Sequence, residues 1–329
     1  MKPWALYVCL AAFLCGGNVW ADEKDWFALM QQGNELQRNG QYREAETSFR
    51  EAVRIAETLP ADDSRLANAL NSLSTICDEL GRVTEAEHLL HRAIALVAKA
   101  RGKQNAQYAV LVDNLGLHYL DHGQVAESEP FFREAIELYS TLQPLDEVRL
   151  AIARNGLALA GMNQRRYDEA RELFTQALAA FRRNPAEGAG QIPVALNNLG
   201  VLARHRGKLD EARDYLEQAV KATEATWGKN HPQMIRPLNN LATVYLVLGD
   251  LAAAEAAYQR ALEIAKSDLG ASHPLYASVL LNYSQFLRRA GRSAESRALT
   301  EQANAILQDN AITDGAGMVV DVTTLQFKQ

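Results

Sequence analysis

The feature that most constrains this chain is a 42-residue period that runs through nearly all of it. The segment GQYREAETSFREA at Gly40 returns as GRVTEAEHLLHRA at Gly81, GQVAESEPFFREA at Gly123 and RRYDEARELFTQA at Arg165. It continues as GKLDEARDYLEQA at Gly207, GDLAAAEAAYQRA at Gly249 and GRSAESRALTEQA at Gly291. The first step is 41 residues and the next five are 42, so the register needs no gaps. Self-similarity on this scale implies stacked copies of one supersecondary unit, because a single copy is too small to bury its own apolar face.

The columns of the repeat say what the unit is. The last position of each segment is Ala52, Ala93, Ala135, Ala177, Ala219, Ala261 and Ala303, and seven residues earlier stand Ala45, Ala86, Ser128, Ala170, Ala212, Ala254 and Ser296. Upstream, a third small column reads Gly33, Ser74, Gly116, Ala158, Gly200, Ala242 and Ser284. Leu73, Leu115, Leu157, Leu199 and Leu241 precede that column, and Phe49, Leu90, Phe132, Phe174, Leu216 and Tyr258 lie between the other two. Apolar positions therefore recur at i, i+3, i+4 and i+7, the helical period. Small residues at fixed places on two helices let the helices approach closely and interlock. Each unit is a helical hairpin with its turn at the Gly of G-x-x-x-E-A.

Composition agrees. Ala and Leu, both strong helix formers, number 53 and 44 of 329 residues, while Gly and Pro number only 20 and 9. Collagen-like, disordered and strand-rich folds are excluded on that basis. A net charge of −6 gives no electrostatic reason to expect a nucleic-acid partner.

Boundary residues fit the same scheme. Gly102, Gly228 and Gly270 share one repeat position just past the second helix, where a left-handed C-cap favours glycine. Pro232 and Pro274 share another, suited to the first turn of the next helix. Asp62, Asp63 and Ser64 offer N-caps before the second unit. Gly188-Ala189-Gly190, flanked by Pro185 and Pro193, is expected to be a flexible inter-repeat loop rather than a domain boundary, since the period passes through it unchanged.

These columns, Leu, Gly or Ala, Tyr, Gly, Ala, Phe or Tyr and Ala in order, resemble the tetratricopeptide repeat. The spacing is similar to the longer form found in kinesin light chains and their bacterial relatives. HPQMIRPLNNLATVYLVLGDLAAAEAAYQRALEIAKSDLG and HPLYASVLLNYSQFLRRAGRSAESRA carry the resemblance most fully. It covers about residues 26–308 and implies an all-α, right-handed α-α superhelix of about seven helix-turn-helix repeats, at about 26–63, 64–105, 106–147, 148–189, 190–231, 232–273 and 274–308. Arg165 departs from the pattern at the turn glycine and Gly161 at the usual tyrosine, which puts the local packing of repeat four in doubt. Gln32 for the core leucine and Thr300 for the aromatic mark the first and last repeats as end caps.

The resemblance places the first helix of each repeat on a concave surface. On the face of that helix left free by the apolar columns stand Asn114, Asn198, Asn240 and Asn282 in one column, with Ser72 and Gly156 completing it. The preceding column holds Asn71, Asp113, Asn155, Asn197 and Asn239. Asparagine is a poor helix former, so these columns need another reason. One is that the amides bind the backbone of an extended peptide, each offering donor and acceptor; the other is that they bond between adjacent helices and set the stacking angle. Acidic Glu79, Asp113 and Asp121 lie towards the N-terminal half of that face, and His205, Arg236 and Arg289 towards the C-terminal half, which would suit a partner carboxylate. Met30 and Ser72 stand where a carboxylate-clamp repeat has lysine and asparagine, so a chaperone-tail clamp is not expected.

Catalytic motifs are lacking: there is no Gly-rich phosphate loop, nucleophile elbow or His-Glu-x-x-His. His118 and His122 are four apart on one helix, a spacing that can hold zinc, but no third ligand is evident, and His88 and His91 are similar. Cys77 falls in a core column and reads as an inert buried thiol. No enzyme activity, metal or cofactor is expected.

Lys2, the apolar stretch Trp4 to Leu14, and Val19-Trp20-Ala21 before Asp22 read as a signal peptide over 1–21 with cleavage near Ala21. The stretch is shorter than the roughly 20 residues that span a bilayer, and Cys9 and Cys15 follow Val8 and Leu14 rather than the small residue a lipid anchor requires. Cleavage leaves Cys77 as the sole thiol, so no internal disulfide is expected. Residues 309–329 leave the period, and MVVDVTTLQF is β-branched and apolar, a flexible tail by position or a strand to offer a partner. The expectation is a periplasmic or secreted, non-catalytic interaction scaffold that binds an extended peptide or partner protein in its concave groove, without nucleic acid. The alternative is a structural subunit of an envelope or secretion assembly docking through its edges, convex face or tail.

Overall fold

The computed structural model describes residues 24–60 and 64–314, with side chains as far as Gln308. The expected signal peptide with Cys9 and Cys15, the N-cap candidates Asp62 and Asp63, and the apolar segment from Met318 lie outside the described residues.

The described residues are helical throughout and include no strand. The helices are α1 (24–38), α2 (Tyr42–Ala56), α3 (Ser64–Glu79), α4 (Val83–Arg101), α5 (Ala106–Asp121), α6 (Val125–Thr141), α7 (Glu147–Asn163) and α8 (Tyr167–Arg183). A short α9 (Pro185–Gly188) precedes α10 (Gln191–His205), α11 (Leu209–Trp227), α12 (Ile235–Leu248), α13 (Leu251–Ile264), α14 (Pro274–Arg289) and α15 (Ser293–Asp314). Except for α9, they form seven antiparallel pairs.

The small columns form the interlocks. Ala45, Ala52, Ala86, Ala93, Ala135, Ala170, Ala177, Ala212, Ala219, Ala254, Ala261 and Ala303 are fully excluded from solvent, with Phe49, Phe132, Phe174, Leu216 and Tyr258 sealed between them. Burying one such large side chain is worth roughly 1.5–3 kcal/mol, and the alanines set how close the helices come to realise it. At or just before the second helices, an Arg of one repeat meets an acid on the second helix of the previous one, 36 or 37 residues earlier, as in Arg82–Glu46, Arg166–Glu129, Arg260–Glu224 and Arg292–Glu255. These are half-exposed pairs, worth about 0–1 kcal/mol each, and they fix register more than stability.

Turns and caps follow the repeat. The turn glycines hold positive φ, from 75° at Gly207 to 86° at Gly249, and Arg165 adopts φ 63° in their place. Gly102, Gly228 and Gly270 also have positive φ, but with ψ near 180°, so they extend the chain outward instead of forming the compact left-handed cap. Pro274 opens α14, and Pro232 opens a single 3-10 turn, Pro232–Met234, that leads into α12. The expected flexible loop at Gly188 is instead the ordered α9: Gly188 is buried, and a Cβ there would lie 2.8 Å from the backbone of Phe181. Pro193 is buried in the first turn of α10. The last helix runs to Asp314, beyond the point at which the repeat pattern ends.

One relationship is not between neighbours. Superhelical winding brings the approach to α12 onto the turn between α1 and α2. His231 Nε2 donates to the Arg38 carbonyl at 2.5 Å, and one repeat later His273 Nε2 donates to the Glu79 carbonyl at 3.0 Å. Leu269 packs on the N-terminal core around Trp26, Met30 and Phe49. The contact spans 193 residues, so the array returns on itself after about four and a half repeats.

Candidate functional site

The first helices form the inside of the curve. The successive pairs α5 and α7, α7 and α10, α10 and α12, and α12 and α14 pack directly on each other, whereas successive second helices do not meet in this way. Helices on the inner radius crowd and those on the outer radius fan apart, so the free face of the first helices lines a concavity.

On this face the two asparagine columns turn out to be one ladder. Asn114 Nδ2 donates to Asn71 Oδ1 at 2.7 Å, Asn198 to Asn155 at 3.3 Å, Asn240 to Asn197 at 2.9 Å and Asn282 to Asn239 at 3.1 Å. Every rung joins residues 43 apart, from the second column of one repeat to the first column of the repeat before it. The stacking role is thus realised. Each rung uses one of the two amide hydrogens of its donor and one lone pair of its acceptor, which leaves hydrogen-bonding capacity on both.

The rung between repeats three and four is missing. Gly156 stands where the donor would be, and a Cβ there would fall 2.2 Å from the Phe132 ring. Its would-be acceptor, Asp113, is 2% exposed, and its Oδ1 has no hydrogen-bond partner. Burial pushes the Asp113 carboxyl up to about 7, with Arg149 drawing it partly back. The hydroxyl of Tyr139, which feels the charge on Asp113, is likewise buried without a partner.

Winding also joins charges that are far apart in sequence. Arg236, exposed on α12, acts on both Glu79 at the end of α3 and Asp121 at the end of α5. Both carboxyls are raised, first by the surrounding protein, although Asp121 is open to solvent. Both conditions hold for a group on the wall of a narrow concavity. Arg236 from the basic half therefore meets Glu79 and Asp121 from the acidic half across one surface. His205 stacks on Tyr167 with ring centroids 6.2 Å apart, and Arg289 is exposed at the end of α14, where its charge reaches Tyr258.

The histidine pair at His118 and His122 gains a third candidate ligand, invisible in local sequence: Asp78, reaching across from α3. Cys77 is buried, and burial pushes its thiol up to about 12, which leaves it protonated and inert at neutral pH. The inner role of the two histidine-proline dipeptides was also missed. Their recurrence at one repeat position was the available signal, but it pointed only to helix starts.

The tetratricopeptide repeat family profile matches residues 27–90, 76–141, 149–225, 191–267 and 233–309. The chain belongs to the tetratricopeptide-repeat family. Among solved structures, this repeat protein is similar to a Rap protein complexed with competence and sporulation factor, at 14% identity and a TM-score of 0.68, over 88% of this chain and 76% of that one. It is similar to BtubC (BKLC) from P. vanneervenii, at 20% identity and a TM-score of 0.51, over 73% of this chain and 91% of that one. A putative kinesin light chain from Podosopora anserina with nearly identical TPR-like repeats also matches, at 22% identity and a TM-score of 0.46, over 63% of this chain and 97% of that one. What the Rap protein and BtubC (BKLC) share with this chain is the fold. No curated protein sequence matches the chain. No enzymatic family is indicated, and among the described residues no helix is long and apolar enough to cross a membrane.

Proposed function

We propose that this repeat protein is an exported, non-catalytic adaptor of the cell envelope that holds an extended peptide segment of a partner against its inner helices. The observation that carries the reading is the asparagine ladder. A row of amides pre-oriented by their own rungs, one repeat apart except where Gly156 interrupts the series, offers spare donors and acceptors along the concave wall. An extended main chain is the ligand whose polar groups recur in the same regular way. Asn114, Asn197, Asn198, Asn239, Asn240 and Asn282 would contact the backbone, with Asn198 the most enclosed. Arg236, His205 and Arg289 would receive an acidic side chain or terminal carboxylate. The Rap protein of the similar structure holds competence and sporulation factor, a precedent for ligand binding by an array of this shape. Export is supported by the signal-like residues 1–21, with a periplasmic or secreted destination after cleavage near Ala21.

The test is site-specific photocrosslinking from the native envelope. A photoreactive residue at Arg236 on the inner face is compared with one at Glu137, which is exposed on the outer helix α6. The groove reading expects a discrete partner adduct from position 236 and none from 137. Adducts from 137 alone would favour the alternative, an assembly subunit docking through its convex face. Alanine at Asn240 and Asn282 should reduce the adduct at least tenfold while helicity by circular dichroism stays intact.

A further inference from the structure

We propose that Asp78, His118 and His122 form a binding site for a divalent transition-metal ion, zinc foremost, that clips repeat two to repeat three. His118 occupies a repeat position that is otherwise apolar: Ile76, Ala160, Leu202, Val244 and Phe286 fill it in the other repeats of the ladder. An imidazole at such a core position is costly to bury unless its nitrogens are engaged. Its side chain is fully excluded from solvent, and Nδ1 lies 2.9 and 3.1 Å from the two carboxylate oxygens of Asp78 on the neighbouring α3. Nε2 is buried with no hydrogen-bond partner, so the pairing with Asp78 leaves the ring half satisfied.

His122, one turn further along, completes a triad. Its Nδ1 donates to the His118 carbonyl at 2.7 Å, which fixes the tautomer and leaves the lone pair on Nε2. That Nε2 lies 3.9 Å from Asp78 Oδ1. A ligating histidine held by a bond from its other nitrogen to a backbone carbonyl is the arrangement that orients metal ligands. One ligand atom from each of the three residues lies within 4.8 Å of the others. Tetrahedral zinc with bonds of about 2.0–2.1 Å sets its ligands roughly 3.3 Å apart, so a cation fits among them after small rotations. Two imidazoles and a carboxylate suit zinc and its first-row neighbours and are a poor set for calcium or magnesium. Asp121 beside His122 adds negative charge within electrostatic reach of all three residues, and it or a water would take the remaining coordination position.

The experiment is calorimetric titration of the purified, chelator-treated full chain with zinc chloride, paired with thermal unfolding followed by circular dichroism. The expected result is one equivalent bound at micromolar or tighter affinity, with a rise in unfolding temperature. Asp78→Asn and His122→Ala, both at partly exposed positions, should each weaken binding at least tenfold and abolish the temperature rise while leaving helicity unchanged. A His88→Ala/His91→Ala variant should bind as the parent does, because those exposed residues lie outside the triad. Absence of binding in the parent chain, or undiminished binding in both triad variants, would overturn the proposal.

Discussion

His273 Nε2 lies 3.0 Å from the carbonyl oxygen of Glu79, a residue 194 positions earlier, and this bond joins two turns of the superhelix. Its ring is held at both ends. Nδ1 accepts the backbone N–H of Leu275 at 3.0 Å as the N-cap of α14, so Nε2 must carry the hydrogen that reaches Glu79. His231 does the same one repeat earlier, capping at Gln233 and donating to Arg38.

The seam predicts a pH effect on stability. Burial and the nearby Arg236 lower the pKa of His273, while its bond to Glu79 opposes them. With a folded pKa below the unfolded one, the unfolded chain takes up a proton first as pH falls. Stability contributed by the neutral ring is therefore full above about pH 6.5 and is lost as pH falls through the window below it. Thermal unfolding at pH 7.5 and 5.0 should show a smaller drop in His273→Ala than in the parent chain. The double variant with His231→Ala should lose about 1 kcal/mol per bond at pH 7.5 and show a larger radius of gyration by small-angle X-ray scattering. An unchanged radius would show that Leu269 and the neighbouring apolar contacts hold the seam unaided.

Asp113 predicts an effect with the opposite pH sense. Its folded pKa of about 7 lies above the ordinary value of 3.8, so between these values the native chain retains a proton that the unfolded chain has released. Stability then falls as pH rises from about 4 to 7 and levels off above. Asp113→Asn removes this titration and supplies the residue found in that column at Asn71, Asn155, Asn197 and Asn239. The variant should gain little at pH 4 and at most a few kcal/mol at pH 8, since each tenfold difference in proton affinity between the folded and unfolded chain is worth about 1.4 kcal/mol. Denaturant unfolding across that range checks it, and a gain independent of pH would refute the assignment.

The missing rung predicts a steric coupling. Gly156→Ala puts a methyl 2.2 Å from the Phe132 ring, which is fully buried, so the helices must separate or the ring must leave its place. Overpacking of this kind costs about 1–3 kcal/mol. Phe132→Leu makes room but leaves a cavity when alone. In the double variant the losses should therefore be less than additive, by at least about 0.5 kcal/mol in a mutant cycle.

These relationships show which parts of the fold were legible in sequence. Local packing was, because the alanine column repeats seven times and the large apolar column between the small ones six times, and helical periodicity reads them directly. The asparagine columns were legible as columns, but their pairing was not, since rungs cross from one column to the other at a step of 43 residues. Comparison within a 42-residue register does not reveal an offset of one. The seam and the Asp78, His118 and His122 cluster were further out of reach. Both depend on how tightly the array winds, a small rotation per repeat accumulated over several interfaces, and no single residue encodes it. At Gly188 the glycine-rich segment suggested looseness, whereas close approach to Phe181 is what the glycine permits.

Arg165 offers the simplest stabilising change. It closes the turn between α7 and α8 with the same bonds as the glycine turns: its N–H reaches Met162 at 3.0 Å and the N–H of Arg166 reaches Gly161 at 2.8 Å. The first repeat makes the same pair from Gly40 to Gln37 and from Gln41 to Leu36, at 3.0 and 2.8 Å. The geometry requires positive φ, and at 63° a residue with a Cβ meets its own backbone, at a cost of about 1–2 kcal/mol. The Arg165 side chain is exposed, so little packing is lost when it is removed. Glycine relieves the strain but adds freedom to the unfolded chain, which returns roughly 0.4–1 kcal/mol of the gain. Arg165→Gly should therefore stabilise the protein by up to about 1 kcal/mol, seen as a rise of about 2–4 °C in unfolding temperature. The reverse exchange at another turn, Gly207→Arg, should lower it by a similar amount, since that turn has φ 75° and open space around it. If both variants unfold at the parent temperature, left-handed strain at the turns contributes nothing to the stability of the array.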